Sequence, residues 1–219
     1  MNPSTFPKDE ILQVLKTETY SDKAFEKILS IGRKTISTEI WNHFKGMDLN
    51  KETKAITKWI QTSIDIKNDF SMITFSISSS LNEQDNFTVY LGLYKEKYLN
   101  TTRDIALHAY YPFDESFVHN DWFLCTGLQK GLGLLAKDGS LTKAQIEQIR
   151  SILILGYGGI ILTDALIAIG CEHPFVSVLG WNNQDQILLV EKRKKGTQIK
   201  AEILPEPEWD DLYDHQPGF

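Results

Sequence analysis

Ile73-Thr74-Phe75-Ser76-Ile77 and Phe87-Thr88-Val89-Tyr90-Leu91-Gly92-Leu93, joined through the polar stretch Asn82-Glu83-Gln84-Asp85-Asn86, decide the fold. Apolar side chains recur at every second position in both runs, the period of a strand with one buried face. The pair predicts an antiparallel hairpin with Phe75 and Val89 or Leu91 inside. On either side of it the period changes to 3.6. Phe25, Ile28, Leu29, Ile36, Ile40 and Phe44 predict one helix that Ser21 or Asp22 caps and Gly46 closes. Ile56, Trp59, Ile60 and Ile64 predict a second, starting near Asp48 or Asn50 and packed antiparallel to the first. Ile11, Leu12 and Leu15 mark a shorter helix over residues 9–16.

Beyond the hairpin, Ile105, Leu107, Ala109 and Tyr111 alternate and predict a third strand ended by Pro112, with a fourth between Phe117 and Cys125. Gly127, Gly131 and Gly133 read as a loop bordering the sheet. Thr142 and Gln145 have the spacing of a capping box, followed by the stripe Ile146, Ile149 and Leu153. Gly156, Gly158 and Gly159 are expected to kink this run or to let helices approach closely, giving two central apolar helices. Strands return at Phe175–Trp181, Ile187–Lys194 and Thr197–Leu204. Helices, strands, helices and strands therefore come in groups, which favours an α+β fold over a βαβ alternation. The expectation is a single domain over residues 1–219. It has N-terminal helices, an antiparallel meander sheet, two central apolar helices and C-terminal antiparallel strands. Residues 1–8 are expected to be flexible and 205–219 to form an extended acidic-aromatic tail.

The 219 residues are 42% hydrophobic and 24% charged, so the chain can bury a core without a metal or disulfide staple. A net charge of -6 argues against nucleic acid and anionic membrane as partners. Residues 152–170 are apolar enough to span a bilayer, but Asp164 lies among them and costs about 3 kcal/mol on insertion scales. A buried core helix is the expectation, with Asp164 partnered by a backbone N–H of the glycine-rich turn or by Arg150. The N-terminus has no basic n-region, and Cys125 and Cys171 lack a CxxC spacing, which points to a cytoplasmic protein with reduced thiols.

Catalytic and cofactor motifs are sparse. Gly156-Tyr157-Gly158-Gly159 lacks the third glycine of a dinucleotide fingerprint, since position 161 is Ile161, and no Gly-Lys-Ser/Thr occurs. Cys171-Glu172-His173 groups three ligand-type residues, yet no second cluster arises among His43, His108, His119 and His215, so neither a metal nor another cofactor is expected. Two functional classes remain. The first is a non-enzymatic interaction protein of the inhibitor or immunity type that binds a basic partner protein. Its contact residues would be Glu206, Glu208, Trp209, Asp210, Asp211, Tyr213 and Asp214, acids that steer and aromatics that anchor. The basic run Lys192–Lys195 would then draw this tail back onto the body. The second is a small-ligand binder or hydrolase-like enzyme. It would use a pocket near Tyr111, His119, Asp121 and Trp122, joined by Cys171 and His173, and folding could form a Cys–His pair from Cys125 or Cys171 with His119 or His173.

Overall fold

The computed structural model describes residues 6–18, 21–67, 69–77, 87–95, 99–111, 116–181, 185–194 and 196–208. Strands β1 (Met72–Ile77), β2 (Phe87–Tyr94), β3 (Phe117–Cys125), β4 (Phe175–Trp181), β5 (Asp185–Arg193) and β6 (Gly196–Ile203) form one sheet in the order β3-β2-β1-β4-β5-β6. The predicted hairpin is present. Phe75 pairs with Leu91 and Ile77 with Val89 in antiparallel register, and all four side chains are buried. A second antiparallel run, β4-β5-β6, joins the first through one parallel pair, β1 with β4. That central pair puts Phe75 beside Leu179 and Met72 beside Val176, and so fuses two meanders into a single sheet.

Among the described residues, six helical segments cover one face of the sheet. Helices α1 (Lys8–Thr17), α2 (Ser21–Thr35) and α3 (Leu49–Ile66) occupy the positions that their apolar stripes predict. Their inner side chains, among them Ile11, Ile28, Ile56 and Ile60, join Ile73, Phe75, Phe87 and Val89 in the main core. Three expectations need correction here. First, the helix that begins at Ser21 stops at Thr35. Thr38 then caps a short 3-10 helix, Glu39–Phe44, with its hydroxyl accepting from the Ile40 N–H. Trp41 folds back so that its ring lies on Gly32 and its indole N–H donates to the Ile36 carbonyl at 2.8 Å. Gly46 follows with φ +67, the left-handed turn expected of it. Second, the glycines at 127, 131 and 133 border or lie in helix α5 (Gln129–Ala136), not an open loop. The Phe44 ring fills the space that a side chain at 131 would need, so glycine serves packing there instead of flexibility.

Third, the two central helices are one. Helix α6 (Lys143–Ala168) opens on the Thr142–Gln145 capping box and runs 26 residues without a break. Its glycines are close-approach positions: Gly156 meets Ile28 of α2, Gly159 meets Leu15 of α1, and Gly158 meets Ile77 of β1. α6 is also long and apolar enough to cross a membrane, and 78% of its most apolar window is buried inside the protein. Of residues 1–8, residues 1–5 lie outside the described residues. Phe6 packs on the core, and Lys8 pairs with Asp185 at 2.8 Å.

Among the described residues, the opposite face carries a single helix, α4 (Thr102–Tyr110), where a strand was expected. Thr101 accepts from the Asp104 N–H at 3.1 Å, while the Asp104 carboxylate accepts from the Thr101 N–H at 2.9 Å. This capping box overrides the chance alternation of 105, 107, 109 and 111. Ile105, Ala106 and Ala109 then pack on Met72, Val176, Val178 and Leu188 as a second, smaller core.

Candidate functional site

Helix α4 packs on β1, β4 and β5, and among the described residues no element covers β2 and β3 on this face. Strand pleating sends Phe87, Val89, Leu91 and Leu93 into the main core and turns Thr88, Tyr90, Gly92 and Tyr94 to the other side. Tyr90 lies directly across from Trp122 on β3, and Tyr94 across from Phe117. A register shift between Leu93 and Tyr94 brings Phe117 to this side, where its ring packs edge-on to Tyr94 at 5.6 Å. Trp122 is 61% exposed, Tyr90 49% and Phe117 45%. Tyr90 and Trp122 thus form an exposed aromatic pair on the last two strands, with Phe117 exposed against Tyr94 four positions along β2 on the same face.

The pocket expected from the sequence does not assemble around Trp122. Asp121, one residue earlier, points to the helical side, where its carboxylate accepts from the Trp59 indole N–H at 2.8 Å and from the Ser63 hydroxyl at 3.3 Å. His119 shares that side by the same alternation, and its Nε2 is buried without a partner among the described residues. Tyr111 caps the end of α4, its backbone N–H donating to the Leu107 carbonyl at 2.9 Å. Adjacent positions on a strand face opposite ways, so His119 and Asp121 are separated from Trp122 by the sheet itself.

Cys171 and His173 do meet, with Sγ 3.5 Å from Nδ1 and 3.6 Å from Nε2. They lie after α6, where His173 packs edge-on to Phe70 at 4.6 Å. Burial pushes the Cys171 thiol up, offset in part by the hydrogen bond to the His173 backbone and by Lys192. The thiol is therefore held protonated, which opposes its use as a nucleophile. Among the described residues no three His, Cys, Asp or Glu side chains gather as a metal site.

Of the acidic tail, Glu206 and Glu208 are described and exposed; Trp209, Asp210, Asp211, Tyr213 and Asp214 lie outside the described residues. The tail leaves the body beside α4, where the Tyr110 hydroxyl donates to the Leu204 carbonyl at 3.4 Å. The basic run has local partners. Lys192 donates to the Cys171 carbonyl, and Arg193 bonds Glu191 at 2.6 Å and the Leu99 carbonyl at 2.7 Å.

Asp164 has a partner, but neither of the expected ones. The Ser21 hydroxyl at the start of α2 donates to it, while Arg150 pairs with Glu147 at 2.8 Å. Burial raises the Asp164 carboxyl above its usual range, and the Ser21 hydrogen bond offsets this only in part. A carboxyl raised on folding favours the native state below its unfolded pKa, near 4. That advantage is lost as pH climbs through the folded value. Asp164→Asn, which cannot ionise, should therefore gain stability relative to the wild type as pH rises from about 3 to 7. Urea midpoints of both forms across that range check it; a constant difference contradicts it.

Sequence reasoning selected Trp122, and Phe117 with it, but missed the cross-strand neighbour Tyr90. The signal was available for Tyr90, a large aromatic on the polar side of an alternating strand. No family model, curated protein or solved structure matches this chain, so its surface chemistry alone carries the functional reading.

Proposed function

We propose that the chain is a non-enzymatic interaction protein that binds a basic polypeptide through the open half of its sheet. The observation that carries this is the exposed cross-strand pair Tyr90–Trp122. Monomeric proteins seldom leave several large aromatics together in water without a use for them. Trp and Tyr are the side chains that most often anchor interfaces, and their ring faces attract Arg and Lys heads. The net charge of -6 favours encounter with a cationic surface and disfavours nucleic acid, which would otherwise compete for a stacking platform. Glu206 and Glu208, exposed beyond β6, together with the acids that follow, would add steering. An inhibitor or immunity role fits this chemistry: the aromatic patch blocks a basic surface and the acids speed its capture.

The test is a titration of the protein with a fluorescent arginine-rich peptide. Binding is expected to be saturable and to weaken with salt. Trp122→Ala should lower affinity at least tenfold while leaving the unfolding midpoint nearly unchanged, because the side chain is mostly solvated. Removing residues 205–219 should slow association more than it speeds dissociation. Equal affinity of Trp122→Ala and wild type would overturn the assignment, as would tighter binding of a single-stranded oligonucleotide.

A further inference from the structure

On the helical side of the molecule, remote from the aromatic patch, α1, α2 and α6 enclose a narrow cleft. Its floor has room for about one water-sized group before it opens to solvent. Its polar lining is Glu18, Ser21, Thr163 and Asp164; Leu15 and Ile160 supply apolar walls. Glu18 is neutralised by Lys27. Asp164 is bonded only by the Ser21 hydroxyl and has no cation among the described residues. Thr163, next to it, is 4% exposed, and its hydroxyl has no hydrogen-bond partner among the described residues. A helical threonine ordinarily returns its hydroxyl to a carbonyl four residues back; this one does not.

A half-buried carboxylate without a counter-charge and a buried hydroxyl without a partner both cost free energy, and one ligand group would satisfy both. We infer that the cleft binds a primary ammonium group carried on an alkyl stem. An ammonium offers three donors, matched by the Asp164 carboxylate and the hydroxyl oxygens of Thr163 and Ser21. Leu15 and Ile160 would line the methylenes. Tetrahedral –NH3+ is close to water in size and suits the narrow floor, whereas a planar guanidinium with its five donors does not. The group could belong to a small free amine or to a lysine side chain; the recognising chemistry is the same.

The probes are butylammonium chloride, tetramethylammonium chloride and potassium chloride at equal ionic strength, added to the full chain at pH 7 while thermal unfolding is followed. Butylammonium at ten times its dissociation constant should lower the apparent unfolding constant about tenfold. Tetramethylammonium, which has no N–H, should not. Asp164→Asn should abolish the effect and Thr163→Val should weaken it. Circular dichroism without ligand confirms that each variant is folded. A parallel titration with N-acetyl-lysine amide separates the sources. Saturation by both compounds assigns lysine side chains, and saturation by butylammonium alone assigns free amines. Equal stabilisation by potassium would overturn the inference, as would a full response in Asp164→Asn. Either result would leave the sheet-face reading untouched, because the peptide test there involves none of these residues.

Discussion

Glu52→Ala is expected to cost about 2–5 kcal/mol, because it strands neutral donors at about 1–3 kcal/mol for each one left buried. Glu52 lies on α3 and is 8% exposed. One carboxylate oxygen accepts from the Thr126 N–H at 2.9 Å and the other from the Tyr157 hydroxyl of α6 at 3.2 Å. The Cys125 thiol at the end of β3 is a third donor. Burial first, and then the neighbouring Glu52 charge, push both the Cys125 thiol and the Tyr157 hydroxyl far above their usual ranges. Both stay protonated and donate. The carboxylate thus ties two helices and a strand together at the turn before α5. Gly127 completes the arrangement, because a Cβ there would collide with the Tyr157 hydroxyl and with Glu52. Removing the carboxylate leaves the buried Tyr157 hydroxyl and Cys125 thiol, and the Thr126 N–H, without an acceptor. Glu52→Gln keeps an acceptor but presents an NH2 to one of them, so about 1–3 kcal/mol is expected. Tyr157→Phe removes a single hydrogen bond, about 1 kcal/mol. Guanidinium unfolding of the three variants should show that order. A loss below about 1 kcal/mol for Glu52→Ala would mean the cluster is not a keystone.

Trp41→Ala should be comparably damaging, about 3–5 kcal/mol. Trp41 is the largest fully buried side chain. It fills the angle between α2 and the 3-10 helix, and its loss also strands the Ile36 carbonyl that the indole N–H now satisfies. Gly32 gives an independent check, because a Cβ at that position would overlap the Trp41 ring. Gly32→Ala alone should cost about 1–3 kcal/mol through overpacking. In the Trp41→Ala background the added methyl has room, so the double variant should be less destabilised than the sum of the two. Additive losses would show that the ring does not rest on Gly32.

These two sites explain what could be read in the sequence and what could not. The β1–β2 hairpin, α1, the body of α3 and the β4-β5-β6 run were legible because a clean period of 2 or 3.6 reports one buried face. Three elements were not. In α4 the apolar residues fit both periods, and the Thr101–Asp104 capping box was the deciding signal. In α5 and α6 the glycines looked like breakers because their reason, contact with Phe44, Ile28 and Leu15, is tertiary. The parallel β1–β4 pair likewise depends on chain packing and has no local signature. The candidate surface was half legible. Trp122 stood out by composition, but proximity in sequence joined it to His119 and Asp121, which the pleat sends to the opposite side. Its partner Tyr90 comes from the preceding strand, and only the cross-strand register reveals it.

The most direct measurement of the central assignment is the set of indole N–H resonances during titration with an arginine-rich peptide. Trp41 and Trp59 donate their indole N–H groups inside the fold, so they serve as internal references. The account predicts that the Trp122 resonance shifts progressively and saturates with binding while those of Trp41 and Trp59 stay in place. A bound complex in which Trp122 does not move would contradict it.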